Sequence, residues 1–260
     1  MIRWAYAFID RPRDGFSRAC AFWTAVTGTH LSELRGADGE FATLLPHAPA
    51  HAPAHAPADA FVKAQAVDGP GGAHLDLAVD DLAATAREAR GLGAAAVYAE
   101  EGLEVLRSPG GQLFCVVPWA GETSRPAPVA APGGATSRLD QVCLDVTPDS
   151  YDREVAFWAA LTGWDSRASA LAEFHRVQPP PDLPVRLLLQ RLGPDGRTGA
   201  HLDLACSDPD AVRAWHESHG AAFVSRGANW LVMRDPAGGT YCLTGRDPET
   251  GTPPSRGSAG

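Results

Sequence analysis

The sequence predicts an α+β protein of four βαβββ units, paired into two domains with curved mixed sheets around a cleft. Three observations carry this. The stretch Gly72-Ala73-His74-Leu75-Asp76-Leu77-Ala78 recurs residue for residue 127 positions later, with His201 in place of His74. Residues 21–28 (AFWTAVTG) match residues 156–163 (AFWAALTG) in the same order, so the chain is a tandem duplication. Within each half, period-two apolar stretches alternate with single amphipathic helices. The 260 residues divide into halves of about 130, an ordinary domain size. The domains are expected at 1–118 and 138–245, with a Pro/Ala/Gly linker at 119–137 and a flexible tail at 246–260.

Residues 3–9 (RWAYAFI) read as the first strand. A helix follows over Phe16–Thr27, because Phe16, Ala19, Cys20, Trp23 and Val26 fall at helical spacing and Gly28 supplies a stop. Short strands at 30–34, 41–45 and 61–67 complete one unit. The next unit opens with a strand at 73–79, where Leu75, Leu77 and Val79 alternate with His74, Asp76 and Ala78. Its leucine side packs on a helix. Its other side carries an imidazole and a carboxylate, the chemistry of a pocket wall. Asp80 or Asp81 caps a helix over 82–92 that stops at Gly93. Strands at 95–98, 103–107 and 113–117 follow, the last two joined at Ser108-Pro109-Gly110-Gly111. Residues 118–137 lack periodicity and read as linker. The second half repeats the course: strand 138–146, helix 151–161, strands 168–177 and 185–192, strand 201–206, helix 210–219, and strands near 223, at 230–233 and at 240–244. The tail is polar and rich in Gly and Pro. A single unit exposes too much apolar sheet to stand alone, so units must pair. The sequence leaves open whether the first unit pairs with the second or is swapped onto the fourth.

Acidic residues outnumber basic ones, 31 to 22, for a net charge of −9. No basic surface is available to neutralise phosphates, so neither nucleic acid nor an anionic membrane is an expected partner. No stretch approaches the roughly 18 to 20 apolar residues of a bilayer span. The opening MIRWAYAFIDRPRDG lacks the apolar run of a signal peptide. Cys20, Cys115, Cys143, Cys206 and Cys242 form no CxxC pair and no zinc-like spacing. Free thiols and a cytoplasmic location are the expectation.

The paired units, the H-x-x-L-x-V opening strands and the hairpin Arg234-Asp235-Pro236-Ala237-Gly238-Gly239 resemble the vicinal oxygen chelate superfamily. That group includes glyoxalases, extradiol dioxygenases, fosfomycin-modifying enzymes and bleomycin-sequestering proteins. The first half carries the hairpin in degenerate form, Ser108-Pro109-Gly110-Gly111. The twin HLDLA strands and the last strands bearing Cys look most like its glyoxalase-like domain subgroup, common in actinobacteria. The resemblance spans nearly the whole chain outside linker and tail. It implies the fold, which hosts many chemistries.

In the metal-dependent members, His and Glu ligands come from the first and last strands of each unit, since imidazole and carboxylate suit divalent metals. Carried across, these positions fall on Trp4, Gln65, His74 and Cys115 in the first half, and on Gln141, Gln190, His201 and Cys242 in the second. Only the histidines match. Trp cannot ligate, Gln is a weak neutral ligand, and one Cys with one His falls short of a three- or four-ligand site. The resemblance therefore implies no cofactor. A divalent metal stays open if the ligands lie elsewhere; His30, Glu33 and Glu40 are near enough in sequence to supply one.

His74 and His201 have two readings: strand histidines bonded to neighbours, or polar groups that orient a ligand. Asp76 and Asp203 follow two residues on, on the same strand face. Each could fix an imidazole tautomer and raise its pKa, making a catalytic His/Asp pair wherever a ligand reaches it. The alternative is a carboxylate bonded to nearby backbone. Cys115 and Cys242 have apolar flanks and read as inert buried thiols rather than nucleophiles. Trp23 and Trp158 read as core, whereas Trp4 and Trp230, on strands, read as cleft walls on which an aromatic ligand stacks. The HAPA repeat at 46–57 spaces histidines four apart, but its prolines forbid the helix that would cluster them, and it reads as an extended loop.

The function that follows is metal-independent binding of a partly apolar or aromatic small molecule in a sheet-lined cleft, as in the drug-sequestering members. Two alternatives stand beside it. One is a metal-independent isomerase, lyase or dehydratase using His74/Asp76 or His201/Asp203. The other is a metal-dependent lyase or dioxygenase. A four-unit chain can build internally the pseudo-dimer that two-unit relatives form from two chains, so a monomer or a homodimer is expected.

Overall fold

The computed structural model describes residues 1–47 and 58–253; most of the HAPA repeat and residues 254–260 lie outside the described residues. The first half runs β1 (Ile2–Pro12), α1 (Phe16–Thr27), β2 (Thr29–Leu31), β3 (Phe41–Pro46), β4 (Val62–Val67), β5 (Gly72–Val79), α2 (Leu82–Gly91), β6 (Ala95–Glu100), β7 (Leu103–Arg107) and β8 (Leu113–Pro118). After a two-residue strand, β9 (Val129–Ala130), the second half runs β10 (Thr136–Val146), α3 (Tyr151–Thr162), β11 (Asp165–Ala168), β12 (Phe174–Gln178), β13 (Arg186–Arg191), β14 (Gly199–Cys206), α4 (Pro209–Ser218), β15 (Ala222–Arg226), β16 (Trp230–Arg234) and β17 (Thr240–Gly245).

Each half is one open mixed sheet. The strand orders are β2-β3-β4-β1-β5-β8-β7-β6 and β11-β12-β13-β10-β14-β17-β16-β15, the same permutation twice. At the centre of each sheet the opening strands of two units lie antiparallel, β1 on β5 and β10 on β14. Each also pairs in parallel with the last strand of its own unit. Pairing is therefore sequential, first unit with second and third with fourth, which the sequence left open.

The alternation read from the HLDLA strands is present. Leu75, Leu77, Leu202 and Leu204 are buried in the core, and the histidines and aspartates face the other way. The helices join the two halves. Phe22 of α1 meets His216 of α4 edge-on at 5.6 Å, and Trp23 meets Tyr241 of β17 at 5.1 Å. In the mirror contact, Phe114 of β8 meets Phe157 and Trp158 of α3 at 5.8 and 5.0 Å. The buried face of α1 is thus wider than the stripe visible in sequence, because Phe22 packs on the other domain. α1 ends at Gly28 with φ +60°, the left-handed stop expected there.

Buried polar locks tie the hairpins across this junction. Arg11 donates to Asp235 at 2.7 Å and to the carbonyls of Asp10 and Gly72, and Trp23 Nε1 donates to the same Asp235 carboxylate. Both charged side chains of the pair are almost fully buried. Gly239 leaves the room: a Cβ there would collide with the guanidinium. At the equivalent first-half hairpin, Gln112 reaches the carbonyls of Asp145 and Gly199. Glu154 there accepts from Ser108 Oγ, Gly110 N and Trp158 Nε1. The same junction is solved with different residues on its two sides.

Three segments differ from expectation. The strand expected across 168–177 is two strands, β11 and β12, because the chain reverses between Ser169 and Phe174, which close on each other by a backbone hydrogen bond. Within the linker, β9 adds to β10 through a turn in which Gly133 and Gly134 have φ of +92° and +91°. Residues 246–253, expected as tail, are docked: Arg246 clamps Asp140 through two 2.8 Å bonds, and Arg186 and Arg138 donate to the carbonyls of Gly251 and Glu249. Among the described residues, no helix is long and apolar enough to cross a membrane.

Candidate functional site

The opening strands set the chemistry of each cleft. In the second half, His201 on β14 lies opposite Cys143 on β10, and Asp203 lies opposite Gln141 on β10 and Cys242 on β17. Gln190 on β13 pairs with Asp145 on β10. His201 Nδ1 hydrogen-bonds Asp145 at 3.0 Å, and its Nε2 stands 3.5 Å from Asp203 Oδ1. Gln141 donates to the other oxygen of Asp203. Both ring nitrogens of His201 therefore face carboxylates. Burial disfavours a charged ring, yet contacts with Cys143, Asp145 and Cys242 outweigh it and hold the His201 pKa well above its ordinary value. Burial pushes the Asp203 carboxyl up, and it pushes the Cys143 thiol up to about 12. Cys242 is raised for the same reason.

Above this floor opens a cavity of about 480 Å³. Gln141, Cys143, Gln190, His201, Asp203 and Cys242 form its base. Phe174 of β12 and Trp230 of β16, from opposite arms of the sheet, meet edge-on at 5.5 Å along its wall. Arg176, Leu171 and Leu188 complete the side next to β12 and β13, and Arg246 lies opposite, already clamped by Asp140.

The first half repeats the frame with bulkier side chains at the matched positions. His74 Nδ1 bonds Asp10 at 2.7 Å and its Nε2 lies 3.6 Å from Asp76, the same Asp–His–Asp chain. Phe8, at the place of Cys143, stacks on His74 with centroids 4.2 Å apart. Lys63, at the place of Leu188, lies 3.5 Å from the Tyr6 ring centroid and 4.0 Å from Asp76. The Tyr6 hydroxyl donates to Glu122. Burial lowers the Lys63 pKa, and it raises those of Cys115 and Asp76.

The structure brings Gln141, Gln190, His201, Asp203, Trp230 and Cys242 together at one cavity, and places His74, Asp76 and Cys115 around one another in the first half. Gln65 pairs with Asp10 on the same strand face, half-buried. Trp4 is corrected. It does not stand at the place of Gln141, which belongs to Tyr6, opposite Asp76. The β1–β5 register runs unbroken from Trp4 to Asp10, so Trp4 lies two residues before Tyr6 on its strand; it is 1 % exposed with its Nε1 on the Ala60 carbonyl, and it packs in the core. Asp10 and Asp145 are absent from the residues that the sequence singles out. Both precede the end of an opening strand, in FID and CLD, and aligning the two halves there is the signal that exposes them. Arg176 is absent too, since the hairpin that aims it reads in sequence as one strand. In two places, donor atoms from three residues lie within 4.8 Å of one another: Cys143, His201 and Asp203, and His74, Asp76 and Cys115. These are where a divalent ion could be held among the described residues.

Two sheets of this topology, each with its opening strands at the centre and a histidine facing the cleft, define a two-domain protein of the vicinal oxygen chelate superfamily. The chain belongs to the glyoxalase-like domain family, whose model matches residues 7–117 and 141–244. No curated protein matches it. Among solved structures, the Mn(II)-bound glyoxalase from Novosphingobium aromaticivorans is similar over 94% of this chain and 81% of its own, at 17% identity and a TM-score of 0.62. The 2,2',3-trihydroxybiphenyl 1,2-dioxygenase from dibenzofuran-degrading Sphingomonas wittichii is similar over 94% and 90%, at 13% identity and 0.61. A catechol 2,3-dioxygenase is similar over 98% and 90%, at 13% identity and 0.58. At these identities the likeness is one of fold.

Proposed function

We propose that the protein binds a small, partly apolar or aromatic molecule in the second-half cavity, without a metal. The carrying observation is the asymmetry of two clefts built on one frame. One holds a cavity of about 480 Å³, within the roughly 300–1,000 Å³ of small-molecule sites. In the other, the matched positions carry Phe8, Tyr6 and Lys63 in place of the smaller or shorter Cys143, Gln141 and Leu188. Trp230 and Phe174 offer flat apolar wall, and the floor offers a few convergent polar groups, the usual division of labour in such sites.

The donor set speaks against a resident divalent metal. A ligating imidazole needs a free lone pair, and with His201 Nδ1 engaged by Asp145 only Nε2, 3.5 Å from Asp203 Oδ1, could supply one. The amides of Gln141 and Gln190 are neutral and weak ligands, and burial raises the pKa of the Cys143 and Cys242 thiols. The chemistry proposed for this cavity therefore rests on the chain's own groups. A second reading draws on the Asp145–His201–Asp203 chain: a carboxylate-anchored imidazolium at the cavity floor suits general acid catalysis, as a metal-free isomerase, lyase or dehydratase would need. Either reading is compatible with a monomer or a homodimer, and five buried free cysteines suit a reducing compartment.

The test is elemental analysis after dialysis against manganese, iron(II) and zinc, paired with calorimetric titration of an aromatic probe such as indole in excess chelator. The expected result is substoichiometric metal and an affinity unchanged by the chelator. A stoichiometric metal whose removal abolishes binding would overturn the metal-free reading.

A further inference from the structure

The second-half cavity is polar at both ends, and the two ends differ in sign. At the floor, Asp203 is 2 % exposed and lines the cavity. Its Oδ2 accepts from Gln141, but its Oδ1 is buried and accepts no hydrogen bond. The nearest donor, His201 Nε2, stands 3.5 Å away, beyond the range of a good N–H···O bond. A buried acceptor left unpaired is costly, and a ligand that supplies the proton recovers that cost. The floor has acceptor capacity to spare, with two carboxylates, Asp145 and Asp203, sharing one imidazole.

At the other end stands Arg176. The register places Arg176, Leu188, Cys143 and His201 in one row across β12, β13, β10 and β14. Three strand spacings separate the arginine from the histidine, roughly 14 Å along the sheet before either side chain reaches inward. Arg176 is exposed, lines the cavity and makes no hydrogen bond or ion pair among the described residues. Arg246, the other guanidinium at the cavity, is occupied by Asp140. A guanidinium with its fork free is matched to a carboxylate. Between the two poles lie the Leu188 side chain and the Phe174–Trp230 wall, which suit an aromatic ring.

We infer that the ligand is an aromatic acid bearing a hydroxyl or amino group remote from its carboxylate. The acid pairs with Arg176 at the mouth, the ring lies along Phe174 and Trp230, and the donor reaches Asp203 Oδ1. The inference rests on the proposed binding function and goes beyond it in naming both polar ends.

Calorimetric titration of the full chain with 4-hydroxybenzoate, benzoate, phenol and indole tests it. Each missing end should cost about tenfold in affinity, so 4-hydroxybenzoate binds about tenfold or more tighter than benzoate and than phenol. Arg176→Gln should erase its advantage over phenol only. Asp203→Asn should erase its advantage over benzoate only, with a thermal melt to verify folding. Arg176 is a surface residue, so that variant stays informative even if Asp203→Asn unfolds. Equal affinities for all four probes would overturn the inference while leaving the aromatic-binding function standing. Binding of none of them would overturn both.

Discussion

His201 and His216 sit in the same domain under opposite electrostatics. His201 is held between Asp145 and Asp203, and its pKa lies well above the ordinary value. His216 is buried between α4 and the aromatic junction, with its Nδ1 bonded to the Tyr241 hydroxyl and its Nε2 unpartnered, and burial lowers its pKa to about 3. The consequences for stability have opposite signs. For His201, raised in the folded state, the stabilisation is fully present below the unfolded value of about 6.5 and is lost as pH rises through its folded value. For His216, depressed in the folded state, stability is full above about pH 6.5 and falls by about 1.4 kcal/mol per pH unit as pH drops towards 3. A histidine-resolved NMR titration should find His216 neutral at pH 5 and His201 still cationic above pH 7. A His216 that titrates near 6.5 would contradict the burial assigned to it. At this scale the sequence is partly legible. The HLDLA strands announce His201 and Asp203, and their period-two face puts them at a pocket. Asp145 is hidden because it sits on a different strand, 56 residues away, and only register brings it to the imidazole.

The hairpins between the last two strands of each half show how an element carries more than its turn. Asp235, in the turn before β17, receives Arg11, Trp23 Nε1 and two backbone amides of its own loop. The Asp-Pro-x-Gly pattern is visible in sequence as a turn. Its role as the anchor of a buried interdomain ion pair is not, since the partner lies 224 residues earlier. Removing one member of such a pair leaves an uncompensated buried charge, so Asp235→Ala should cost about 3–5 kcal/mol in urea unfolding. A loss of under about 1 kcal/mol, typical of an exposed pair, would show that the pair is not buried in solution. The central strands follow the same pattern. On β1 and β4 the residues facing the cleft are Tyr6, Phe8 and Lys63; on β10 and β13 they are Gln141, Cys143 and Leu188, which are smaller or shorter, and a cavity opens above them. The proposed confinement of binding to the second half rests on side-chain volume at these three matched positions.

Across the whole molecule, duplication preserved the frame and divergence reassigned its contents. The fold is legible because a repeated motif, helical spacing in AFWTAVTG and glycine stops are local signals that survive without tertiary context. The asymmetry of the clefts is not legible, because it depends on which strand lies beside which and on the register that sets Tyr6, not Trp4, opposite Asp76. Sequential pairing of units keeps each cleft within one half. The central claim is that only the second half binds. Its most direct test is the stoichiometry of 4-hydroxybenzoate or indole binding by calorimetry, in excess chelator, on the full chain and on a Trp230→Ala variant. One ligand per chain is expected, with affinity weakened about tenfold or more in the variant as an aromatic contact surface is lost. Two ligands per chain, or binding indifferent to Trp230, would contradict it.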